Sequence, residues 1–140
     1  MRDRRGAPRT PCIALLAGLA CACAQAAPPH VAPPRVDYIA SPVTAGLDLP
    51  FTDVVRAGDV LYLSGVIGIR PGTLELVPGG LEPEARQALD NIGMMLGAAG
   101  ASLDDVVRCL VMMDDMSQWS RFNAIYVEYF GDRRPARSAL

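Results

Sequence analysis

The spacing of apolar residues changes period from one segment of the chain to the next. Over residues 82–99, Ala85, Ala88, Leu89, Ile92, Met95, Leu96 and Ala99 recur at three- and four-residue intervals. That spacing makes one apolar helix face, with Gly100 placed to end the helix in the left-handed conformation. A second helix is predicted over 117–130, with Trp119, Phe122, Tyr126 and Tyr129 on one face and Gly131 after it. Between them, residues 106–113 are apolar apart from Arg108 and predict a strand buried on both faces, ended by Asp114-Asp115. Upstream, the β-prone runs 52–56 and 60–67 flank Ala57-Gly58-Asp59 and predict a hairpin. Pro71-Gly72 and Pro78-Gly79-Gly80 frame a short strand over 74–77. Pro135 disfavours helix at Arg134, so Arg137-Ser138-Ala139-Leu140 reads as the start of another strand. The order is β-β-β-α-β-α with the final strand or strands incomplete. It predicts an α+β domain over 49–140 with two helices on one face of a sheet.

The N-terminal part has a different texture. Arg2, Arg4, Arg5 and Arg9 precede an apolar run from Cys12 to Ala24, and Ala24-Gln25-Ala26 offers small residues for cleavage. This is the layout of a secretory signal peptide over 1–26, and the run is too short for a comfortable membrane span. A lipidated variant would use Cys21 or Cys23, without the leucine expected before either. Residues 27–48, rich in Pro and Ala and without periodicity, read as a linker. The expected destination is the periplasm or the exterior, with no membrane attachment once the leader is removed.

Setting the leader aside changes the chemistry. Cys109 is then the lone cysteine, so no internal disulfide is expected. Without the four arginines and one aspartate of 1–26, nine arginines face fourteen acidic residues, a net charge of −5. That balance argues against broad nucleic-acid binding. The chain has no lysine, which excludes a lysine Schiff base. Its single histidine, His30, lies in the proline-rich linker, so a histidine base or a His-based metal site is not expected. Arginine, carboxylates, hydroxyls, one thiol and the backbone remain. Arg137 stands out among them, because a guanidinium offers two parallel donors to a carboxylate and stays charged.

Several segments together resemble the Rid family, the RidA/YjgF-type reactive-intermediate deaminases long described as L-PSP endoribonucleases. They are Leu61-Tyr62-Leu63-Ser64-Gly65 after a Gly-Asp turn, Arg86-Gln87-Ala88-Leu89-Asp90-Asn91-Ile92, and Ala98-Ala99-Gly100-Ala101-Ser102-Leu103-Asp104-Asp105-Val106-Val107. Phe122-Asn123-Ala124-Ile125-Tyr126-Val127-Glu128-Tyr129-Phe130 and Arg134-Pro135-Ala136-Arg137-Ser138 complete the set. The resemblance implies a chorismate-mutase-like α+β fold and a homotrimer with active sites in clefts between subunits. It implies cofactor-free hydrolysis of 2-imino acids and their enamine tautomers to 2-keto acids and ammonia. Arg137 matches the family's carboxylate-binding arginine, Asn123 an asparagine near the cleft, and Gly65 a glycine whose backbone contacts the ligand. Phe51 falls where many members carry a tyrosine, so a hydroxyl is missing. Ala139 falls where some carry a reactive cysteine. The family's acidic residue on the last strand would lie beyond Leu140, so no catalytic residue is expected within 1–140.

Plainer readings stand beside these. Arg137 could pair with a carboxylate of a neighbouring subunit, and Asn123 could bridge within a subunit contact. Arg133 and Arg134 read as solvated turn charges, Cys109 as inert core, and the methionine pairs at 94–95 and 112–113 as filler. The partner expected is a small imino or keto acid. The alternative function is a non-catalytic carboxylate-binding protein of the same fold, and ribonuclease activity ranks last.

Overall fold

The structure, a computed structural model, describes residue 33 and residues 35–140. The expected leader and His30 lie outside the described residues. Val36-Asp37-Tyr38-Ile39 alternate in exposure and form β1 (Val36–Ile39). It pairs antiparallel with β2 (Val54–Ala57), which pairs antiparallel with β3 (Val60–Leu63). The expected hairpin is therefore present, turning at Gly58-Asp59. The expected linker over 27–48 is corrected: it contains a strand, and Ser41 and Val43 beyond that strand are buried. Prolines up to Pro34 mask a short β-branched and aromatic run that becomes a strand only because β2 supplies its partner.

β3 is shorter than the apolar run predicts. Ser64 N–H donates to the Asp53 carbonyl at 2.9 Å, and beyond that point the neighbouring chain has turned away to bind residues 41–44. Residues 65–67 have no ladder on that side. The expected strand over 74–77 is reduced to one bridge, Ile69 to Leu76, around Pro71-Gly72. Gly68 lets this segment press on the first helix, because a Cβ there would stand 2.5 Å from the Glu84 carbonyl oxygen.

The helix α1 (Leu81–Ala98) begins with Glu82 and Glu84 in its first turn, where they oppose the positive end of its dipole. Gly100 follows it at φ 74°, as its position predicts. Then come β4 (Arg108–Val111), α2 (Trp119–Phe130) and β5 (Ala136–Ala139). β4 and β5 are parallel, with Cys109 opposite Arg137. This is the pairing a helical crossover permits.

Two hydrophobic clusters hold these elements together. Ala85 and Leu89 of α1 pack with Phe122, Ile125, Tyr126 and Phe130 of α2. Met95 and Ala99 pack with Val43, Val54 and Ile69 under the three-stranded sheet. Arg56 reaches from β2 to donate to the Ala99 carbonyl, tying that sheet to the end of α1. Two expectations change here. The strands form two separately hydrogen-bonded sheets rather than one. β4 is covered on one face only: Cys109 and Val111 face the helices, while Leu110 is 55% exposed.

Candidate functional site

Arg137 is brought to its position by the turn at Gly131, the rigid Pro135 and the pairing of β5 with β4. Its guanidinium carbon lies 4.4 Å from the Trp119 ring centre and 4.6 Å from that of Tyr126. Both distances are within the range of a cation–π contact. The two aromatic residues are seven apart on α2 and so share a face. Asn123, four residues from Trp119 and three from Tyr126, lies on that face too.

The polar inventory around Arg137 is unbalanced. Arg35, Arg70 and Arg86 bind carboxylates; Arg56, Arg108, Arg121 and Arg134 bind carbonyl or side-chain oxygens. Among the described residues, the Arg137 side chain makes no hydrogen bond or ion pair, so its five donors are unspent. Asn123 Oδ1 is buried without a hydrogen-bond partner among the described residues, which is uncommon for polar atoms, and the Tyr126 hydroxyl is buried beside the Cys109 thiol. Burial pushes the Tyr126 hydroxyl's pKa up, and the neighbouring Cys109 thiol adds to the shift. Cys109 itself is half-buried among the α1–α2 cluster and outside any disulfide.

Gly65 and Phe51 lie elsewhere. They line a pocket of about 220 Å³ together with Val43, Asp53, Ile69 and Met95, and neither Arg137 nor Asn123 borders it. Phe51 is 51% exposed. Nothing stands within 4 Å of where a Gly65 Cβ would be, so the backbone there is open to an approaching molecule. Within one chain the four expected ligand residues therefore divide into two pairs, Gly65 and Phe51 bordering the pocket and Arg137 and Asn123 away from it.

Two buried residues that sequence reasoning passed over shape this pocket. Asp53, 3% exposed, accepts from the Ser41 amide at 2.8 Å and the Thr44 hydroxyl at 2.7 Å. Burial pushes its carboxyl up, but the hydrogen bonds from Ser41 and Thr44 outweigh it and hold the pKa below the ordinary value. Asn91, fully buried, donates to the carbonyls of Ile67 at 3.1 Å and Ile69 at 2.9 Å, and accepts from Gln87 at 2.9 Å. Asn91 occurs in a motif quoted above, yet nothing local distinguishes it from a surface asparagine. Among the described residues, no three His, Cys, Asp or Glu side chains gather as a metal site would require.

Comparison with known proteins shows the family of the chain. The family model described as Endoribonuclease L-PSP matches residues 44–140. A RutC family protein of Pyrococcus horikoshii is 42% identical over 91 residues, 65% of this chain and 72% of that protein. The mouse 2-iminobutanoate/2-iminopropanoate deaminase is 41% identical over 90 residues, 64% of this chain and 67% of that protein. The crystal structure of E. coli TdcF with bound serine superposes with a TM-score of 0.67 at 27% identity, covering 74% of this chain and 84% of that one. The strands and two helices have the chorismate-mutase-like α+β arrangement of these proteins. The chain belongs to the Endoribonuclease L-PSP family, the Rid (RidA/YjgF) proteins that its motifs resemble.

Proposed function

We propose that this protein hydrolyses 2-imino acids and their enamine tautomers to 2-keto acids and ammonia. One observation carries the reading: Arg137 is a cation fixed over two rings, without a hydrogen bond or ion pair among the described residues, on a helix face that also holds the buried, unpartnered Asn123 Oδ1. A 2-imino acid carries a carboxylate that fits such a fork in bidentate fashion. Clamping it fixes the C=N carbon for attack by water. Water adds to that carbon while the nitrogen gains a proton. Collapse of the resulting amino alcohol expels ammonia and leaves the keto acid. Deaminase relatives at about 41% identity support the reaction class, and the serine bound to TdcF supports a small carboxylate ligand.

In this reading Asn123 lies beside the bound ligand, Gly65 offers it backbone groups, and Phe51 closes the pocket without a hydroxyl. The two residue pairs would be joined by neighbouring copies in a homotrimer. Support comes from the outer face of β1 and β3, where Tyr38 and Tyr62 are 73% and 61% exposed and Val36 and Val60 flank them. No residue of 33–140 is assigned the acid–base role. With 2-iminobutanoate generated continuously by an amino-acid oxidase, the protein should shorten the imine's lifetime. Folded protein that leaves that lifetime equal to buffer would refute the proposal.

A further inference from the structure

The aromatic residues beneath Arg137 are more than core. An exposed arginine normally samples many rotamers, and binding a carboxylate freezes them at an entropic cost. Here the guanidinium carbon is held 4.4 Å above one ring and 4.6 Å above another. The rings are fixed in turn. Trp119 stacks on Phe122 at 5.6 Å, Phe122 meets Tyr126 at 5.7 Å, and Tyr126 meets Phe130 at 4.4 Å, with Tyr126 only 4% exposed. This row of four aromatics along α2 is anchored in the core it shares with α1.

A planar cation lying against ring faces keeps its N–H donors near its own plane and directed past the rings. We propose that Trp119 and Tyr126 are positioning residues for Arg137: their faces hold the guanidinium so that its edge is offered to a small carboxylate. The inference rests on the functional reading above. It adds that the α2 aromatics determine carboxylate affinity and that Trp119 senses occupancy. Trp119 is the only tryptophan of the chain, so tryptophan emission reports on this one side chain and its contacts, Arg137 among them.

The test combines emission spectra with calorimetric binding of 2-oxobutanoate to full-length wild-type, Arg137→Ala, Trp119→Leu and Trp119→Phe proteins. Without ligand, Arg137→Ala should alter Trp119 emission intensity by a fifth or more, because the cation leaves its ring. Unchanged emission overturns the inference whatever the protein binds. With 2-oxobutanoate, wild-type emission should change saturably, Trp119→Leu should raise Kd about tenfold, and Trp119→Phe should recover to within about threefold. Folded Trp119→Leu protein that binds within twofold of wild type overturns the inference while the functional reading stands. Wild-type protein that binds no 2-oxobutanoate overturns that reading, and with it the ligand half of this one.

Discussion

Replacing Asn91 tests the internal support of the Gly65 pocket with an unusual ordering of effects. The side chain is fully buried and makes three of the four hydrogen bonds its amide can form: two donations to the Ile67 and Ile69 carbonyls and one acceptance from Gln87. Asn91→Ala leaves the Ile69 carbonyl without a partner among the described residues, whereas Ile67 keeps the bond from the Ile69 amide. One orphaned carbonyl, one weakened carbonyl and a small cavity together cost about 2–3 kcal/mol. Asn91→Asp preserves volume and shape but turns an oxygen toward both carbonyls and buries a charge without a cation. That costs about 3–5 kcal/mol. Reasoning from packing alone gives the opposite order, with the isosteric change milder. Urea unfolding at pH 7 decides, provided the m-values agree. The introduced carboxyl is pushed up by burial, so it gains its proton as pH falls toward 5 and the gap between the two variants narrows. An aspartate variant as stable as the alanine variant at pH 7 would refute the hydrogen-bond argument.

Two further outcomes follow from the same structure. Asp53 has a lowered folded-state pKa, so its stabilisation is complete above the unfolded value of about 3.9 and is lost as pH falls through the folded value. Asp53→Asn should therefore cost about 1.5–3 kcal/mol at pH 7, and the difference from wild type should shrink below about pH 4; a pH-independent difference in denaturation midpoints would count against it. Placing a charge on the outer face with Tyr62→Glu should convert a trimer into monomers in sedimentation analysis, because a buried unpaired carboxylate is costly. A monomeric wild type, or a variant that still assembles, would remove the trimer proposal.

Periodicity made the helices legible. The three- and four-residue recurrence of α1 and the aromatic face of α2 follow from chain-local patterning, and so does the turn at Gly58-Asp59. Even so, α2's face divides. Tyr129 leaves it to donate to Asp90 at 2.9 Å, a partner on another helix. β1 was hidden because a four-residue strand has no signal apart from its neighbour, and the prolines before it suggested a linker. β4 read as fully buried because its apolar composition does not reveal that both helices lie on one side. Asp53 and Asn91 escaped notice for a related reason. Their partners are 9 to 12 and 22 to 24 residues away, apart from the Gln87 bond within α1. Arg137 was legible from its Pro-Ala-Arg-Ser setting. The rings beneath it were not, since Trp119 and Arg137 meet only when β5 returns alongside β4.

The central claim is that Arg137 holds the carboxylate of an imino acid during its hydrolysis. The most direct measurement is the rate of loss of oxidase-generated 2-iminobutanoate with wild-type and Arg137→Ala protein at matched, folded concentrations. Two charge-assisted hydrogen bonds at about 1.5 kcal/mol each predict a fall in kcat/KM of at least about a hundredfold. Acceleration by wild type with near-complete loss in the variant is the expected result. Equal rates for the two proteins would contradict the account.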